Sequence, residues 1–93
     1  MGKYLIELSD IAIKHLSLHK KSGNIATIKK IETIIEELSE HPYTGTGQPE
    51  ALKYQLQGYW SRRINHKDRI IYKVYENIVT VEIISAIGHY FEK

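Results

Sequence analysis

Residues 58–86 read GYWSRRINHKDRIIYKVYENIVTVEIISA, and in this stretch the apolar spacing settles to a period of two. Over 59–65, Tyr59, Ser61, Arg63 and Asn65 alternate with Trp60, Arg62 and Ile64. Over 69–75, Arg69, Ile71, Lys73 and Tyr75 alternate with Ile70, Tyr72 and Val74. Alternate residues of a strand share a face, so this text predicts strands with two unlike sides. Residues 78–86 form a third run rich in β-branched side chains. The breaks at 66–68 and 76–77 are short enough for hairpins, which makes the three strands antiparallel neighbours.

Upstream the period changes. Residues 3–8 predict a first strand, and Ser9-Asp10 then supplies a helix cap followed by an acid suited to the helix dipole. Ile11, Ala12, His15, Leu16 and His19 fall on one side at helical spacing until Ser22-Gly23. Asn24 caps a second helix, in which Ile25, Ile28, Ile31, Ile34, Ile35 and Leu38 recur every three or four residues, and His41-Pro42 ends it. The loop YTGTGQPE, 43–50, leads back to the strands. The order β-α-α-β-β-β predicts a single α+β domain over 1–93, with two helices packed on a mainly antiparallel four-stranded sheet.

The composition, 42% hydrophobic and 26% charged over 93 residues, suits one globular core and excludes a disordered chain. With no cysteine, disulfides and thiolate metal sites are excluded. No run approaches the roughly 18–20 apolar residues of a membrane span. The opening MGKYLIELSD lacks the apolar stretch of a secretory leader, so a cytoplasmic protein without membrane contact is expected. Net charge is only +2, but it is concentrated. Residues 50–74 hold Lys53, Arg62, Arg63, Lys67, Arg69 and Lys73 against Glu50 and Asp68. A local basic field of this kind attracts polyanions.

Taken singly, each candidate residue has a plainer explanation beside the chemical one. Strand arginines suit phosphate because a guanidinium presents paired, permanently charged donors, yet arginines also solubilise exposed sheet faces. Glu50 can act as a general base or pair with Lys53. His89 can carry a proton near neutrality beside Tyr90, or be an inert surface histidine. His15 and His19, four apart, lack a third metal ligand, so no metal or cofactor is expected. Gly45 and Gly47 lack the strand-to-helix setting of a phosphate loop and read as a turn.

In combination these residues resemble the YoeB-type toxins of the RelE superfamily. The resemblance is carried by Gly45-Thr-Gly47-Gln48-Pro49-Glu50-Ala51-Leu52-Lys53, Leu56-Gln57-Gly58-Tyr59-Trp60-Ser61-Arg62-Arg63-Ile64, Arg69-Ile70-Ile71-Tyr72 and His89-Tyr90, in order and over about half the chain. The chain departs from that pattern in extending three residues past Tyr90, in carrying Ile87-Gly88 where a basic residue and an aromatic are frequent, and in carrying Ala51 in place of a frequent proline. The resemblance implies a RelE-like fold and a ribosome-dependent endoribonuclease that cleaves mRNA and is neutralised by a cognate antitoxin. It implies Glu50 as general base, Arg69 as the clamp on the transition-state phosphate, His89 as general acid and Tyr90 as its assistant. Arg63, Arg62, Lys53 and Lys73 are expected to bind the RNA. A homodimer is compatible with so small a core. Two other functions fit the basic strands: a non-catalytic toxin like ParE acting on DNA gyrase, and a plain RNA-binding module.

Overall fold

A computed structural model describes residues 2–88. The elements are β1 (Leu5–Leu8), α1 (Asp10–Ser22), α2 (Ile25–Leu38), β2 (Glu50–Ala51), β3 (Trp60–Arg63), β4 (Arg69–Tyr75) and β5 (Thr80–Ser85), with 3-10 turns at Tyr54–Leu56 and Glu76–Ile78. Among the described residues the strands form one sheet in the order β1-β5-β4-β3-β2, with β1 and β5 parallel and the other pairs antiparallel. The architecture is α+β, two helices on a mainly antiparallel sheet.

Both helix starts follow their caps. The Ser9 hydroxyl accepts the Ala12 N–H at 3.0 Å and donates to the Ile84 carbonyl at 2.7 Å, which pins α1 to the last strand. Asn24 Oδ1 accepts the Thr27 N–H at 3.1 Å. Between the helices Gly23 takes φ 74°, a left-handed cap that costs a residue with a Cβ more than it costs glycine.

Several boundaries differ from the expected ones, β3 among them, which spans Trp60–Arg63 and not 59–65, and three of the differences have a local reason. Residues 3 and 4 do not extend β1, because their N–H groups both donate to the Ser39 carbonyl, at 2.6 and 2.8 Å. The second helix stops at Leu38, ahead of Pro42, where Ser39 Oγ turns back to the Glu36 carbonyl at 2.8 Å. The last strand begins at Thr80, because the 3-10 turn ends on Val79 in a left-handed conformation, φ 48°. The sheet also has five strands where four were expected. The fifth, β2, is two residues long, and so short a segment shows no period in the text.

The two faces of the sheet differ. On one, Ile64, Ile70, Tyr72, Val81 and Ile83 pack against Ala12 of α1 and Ile31, Ile34 and Leu38 of α2. Each fully buried Ile or Leu there contributes about 1.5–3 kcal/mol. The register sets Ser61 against Ile71, Arg63 against Arg69 and Lys73 against Glu82, which places all six on the opposite face, away from the helices. Among the described residues no helix is long and apolar enough to cross a membrane.

A candidate phosphate-binding site on the open sheet face

The short strand β2 brings the proposed base to the basic strands. Glu50 lies opposite Ser61 in the antiparallel register, and the Leu52 N–H donates to the Tyr59 carbonyl at 2.9 Å. Across β3, Arg69 reaches back over the same face. Its Nη1 donates to Ser61 Oγ at 3.3 Å and stands 3.9 Å from Glu50 Oε1. Arg63, exposed, is directly opposite Arg69. A carboxylate, a hydroxyl and two guanidiniums therefore share a small patch. The Arg69 side chain is 15% exposed and that of Glu50 55%, so the acid is the more open of the pair. Like charges directly opposite one another repel, and an anion seated between Arg63 and Arg69 relieves that repulsion.

The other expected RNA contacts divide. Lys53 is exposed, three residues beyond Glu50 at the entry to the 3-10 turn. Lys73 lies on the same face as Arg69 but four residues further along β4, about 13 Å away at strand spacing. Its Nζ sits 5.3 Å from the ring centres of both Tyr59 and Tyr75, a cation–π seat at the far end of the patch.

Arg62 is a correction. Its side chain is 0% exposed, on the helix-covered face, where it cannot meet RNA. All five of its N–H donors have acceptors: Nε the Tyr72 hydroxyl at 3.3 Å, Nη1 Glu37 Oε1 at 2.7 Å and the Thr46 carbonyl at 3.3 Å, Nη2 the His41 and Thr44 carbonyls at 2.9 and 2.7 Å. Glu37 also accepts the Thr46 N–H and hydroxyl, both at 2.7 Å. Burial pushes the Glu37 carboxyl up, but Thr46 and Arg62 outweigh it and hold the group below its usual value. Tyr72, whose hydroxyl donates to the Pro42 carbonyl at 2.6 Å, is pushed up by burial and only partly restored by Arg62.

The result is a loop, 41–47, fastened from below by an arginine, a glutamate and a tyrosine, and it leads directly to Glu50. Its end is tied to β3, where the Arg63 N–H donates to the Gly47 carbonyl at 2.7 Å. Gly47 has φ 86°, and a Cβ there would approach the Arg63 carbonyl oxygen to 2.7 Å, so both conformation and space require glycine.

His89 and Tyr90 lie outside the described residues. The residue before them is placed: the Gly88 carbonyl accepts the Arg69 N–H at 3.0 Å, and the Gly88 N–H donates to Asp68 Oδ1 at 2.9 Å. Asp68, buried at the turn before β4, and Glu37 were not foreseen as parts of the site's support. A signal for Glu37 existed, since an arginine in strand phase with Trp60 and Ile64 needs a buried acid. Asp68 had none beyond its place before Arg69. Among the described residues no three His, Cys, Asp or Glu side chains gather as a metal ion would need.

Residues 13–90 match the family of YoeB-like toxins of bacterial type II toxin–antitoxin systems. Toxin YoeB of a Synechocystis strain is 37% identical over 84 residues, covering 86% of this chain and 95% of the relative. Toxin RelK of Mycobacterium tuberculosis is 39% identical over 64 residues, 69% of this chain and 73% of the relative. Among solved structures, a YoeB/ParE toxin from Agrobacterium tumefaciens superposes with TM-score 0.84 at 28% identity, over 92% of this chain and 99% of that one. The toxin of a Staphylococcus aureus YoeB dimer gives 0.80 at 31% identity, covering 96% and 100%. The same toxin type in the heterotetrameric YoeB–YefM toxin–antitoxin complex of Staphylococcus aureus gives 0.77 at 32% identity, also over 96% and 100%.

Proposed function

The chain belongs to the YoeB-like toxins of bacterial type II toxin–antitoxin systems, and from that premise we propose that it cleaves mRNA on the ribosome by acid–base chemistry without a metal. The observation that carries the reading is the meeting of Glu50, Arg69 and Arg63 on one open face, with Arg69 Nη1 3.9 Å from the Glu50 carboxylate. That spacing is longer than a hydrogen-bonded ion pair, and Glu50, the more exposed of the two, is the side chain that shifts as a phosphate reaches Arg69.

In the proposed reaction Glu50 takes the proton of a ribose 2′-hydroxyl, and the 2′-oxygen attacks the adjacent phosphorus. Arg69, with Arg63 opposite, neutralises the charge that grows on the non-bridging oxygens. The bond from phosphorus to the 5′-oxygen breaks, and His89 protonates that oxygen as it leaves, with Tyr90 assisting. The products are a 2′,3′-cyclic phosphate and a free 5′-hydroxyl. Acid–base assistance supplies about 10²–10⁴-fold, so alignment and charge supply the rest. Lys53 and Lys73 extend the positive field along the RNA.

The cytoplasm, where ribosomes are, is the location this reading requires. The Staphylococcus aureus relative is known both as a dimer and with the antitoxin YefM, and for this chain an antitoxin covering the basic face and a homodimer are the corresponding proposals.

Programmed ribosomes incubated with the protein in EDTA should yield cut mRNA ending in a cyclic phosphate. Intact message at saturating protein, with stalled gyrase–DNA complexes in treated cells, would replace the nuclease reading by the gyrase one.

A further inference from the structure

His15 and His19 stand one turn apart on α1 and take no part in the chemistry above. Both reach the same residue of the distant chain end. The Ala86 N–H donates to His15 Nδ1 at 3.0 Å, and His19 Nε2 lies 2.7 Å from the Ala86 carbonyl, to which it donates. Ala86 and His19 are buried, so neither bond is readily replaced by water. The strand ladder has already ended, at Ser85. Two residues on, Gly88 is held on both its backbone groups by Asp68 Oδ1 and the Arg69 N–H. Four hydrogen bonds thus clasp 86–88 from two sides, α1 and the β3–β4 turn, after the sheet has released the chain. The next residue is His89, one peptide unit away.

We infer that His15, His19 and Asp68 are positioning residues, which fix 86–88 beside Arg69 and so hold the chain from which the proposed general acid extends. The inference rests on the reading in which His89 is the general acid and Arg69 the clamp. It explains why a turn of helix carries two histidines whose i, i+4 spacing matches the N–H and C=O of a single residue. It also assigns their tautomers: His15 must be unprotonated at Nδ1 to accept, whereas His19 keeps its donor in either charge state. Protonation of His15 therefore opens one arm of the clasp. His15 faces His19 and Lys14 from its own helix and Asp68 from the β3–β4 turn. Burial, then His19 and Lys14, hold it below the usual histidine value against the opposing pull of Asp68.

The test is steady-state cleavage on programmed ribosomes over a range of pH, paired with amide hydrogen exchange. His15→Ala and His19→Ala should lower kcat about tenfold or more, with KM little changed, because orientation and not binding is lost. His15→Asn, which keeps an acceptor at the Nδ1 position, and His19→Gln, which keeps a donor at the Nε2 position, should restore most of kcat. His15→Asn should also lack the decline that the parent protein shows as pH falls through the His15 value. Equal losses in His15→Ala and His15→Asn, or no loss in either alanine variant, would overturn the inference. Exchange separates this from the nuclease reading. The Ala86 and Arg69 amides should be protected in the parent and in His15→Asn, and exchange at least about tenfold faster in His15→Ala while α2 is unchanged. If the parent cuts no RNA but this pattern appears, the nuclease reading fails and the clasp stands. An unprotected Ala86 amide in the parent removes the clasp itself.

Discussion

Arg62 and Arg63 adjoin on β3 and serve opposite faces of one sheet. Arg62, below, spends all its donors on Glu37 of α2, Tyr72 and three carbonyls of the 41–47 loop. Arg63, above, is exposed and opposite Arg69. The same side chain is thus structural in one strand phase and available for a polyanion in the next. The buried arginine also bears on the proposed chemistry, since the loop it fastens leads into Glu50, the proposed base.

The contrast can be broken most forcefully at Arg62. Arg62→Ala leaves Glu37 without its cation and the 41–47 loop without its anchor, and should destabilise the fold by about 3–5 kcal/mol in urea unfolding. A loss under about 1 kcal/mol would place the anchor elsewhere. Gly47→Ala should cost about 1–3 kcal/mol through its clash with the Arg63 carbonyl, and should lower cleavage further than it lowers stability, because it pushes Glu50 away from Ser61.

Stability against pH sharpens the comparison. The folded His15 and Glu37 values both lie below their usual ones, so each contributes stability that is complete above the ordinary value and lost as pH falls through the folded one. Unfolding free energy should decline first below about pH 6.5 and again below about pH 4.5. His15→Asn should remove the first decline, and Glu37→Gln should reduce the second, the remainder coming from Glu76, which hydrogen bonds from Tyr43 and Tyr4 also hold below its usual value. The smallest effect is expected at Arg63. Arg63→Ala should change stability by no more than about 0.5 kcal/mol, while weakening RNA binding and its salt dependence.

Much of this was legible in the text. The caps at Ser9 and Asn24, the isoleucine spacing of α2 and the two phases of β3 and β4 are all local patterns, and the fold places them as read. The phase of Arg62, shared with Trp60 and Ile64, already put it on the covered face. Its charge nevertheless suggested an RNA contact, because the text shows a basic cluster but not the acid 25 residues upstream that neutralises one member. Position in the alternation outranks charge there. The strand at Glu50–Ala51 left no mark, since its pairing depends on Gly47 and Ser61 and not on any repeat of its own. The spacing of His15 and His19 was plain, but their shared target lies 71 and 67 residues away. Sequence shows which groups can meet at helical distance, and only the fold shows what they meet.

The most direct trial of the account is the rate at which folded Glu50→Gln protein cuts mRNA on programmed ribosomes in EDTA, set against the parent. Glutamine keeps the size of the side chain at the edge of the patch but cannot take up a ribose proton, so the rate should fall by about 10²-fold or more while unfolding stability stays nearly constant. Cleavage at the parental rate would contradict the account, because the open face would then lack the base on which the chemistry depends.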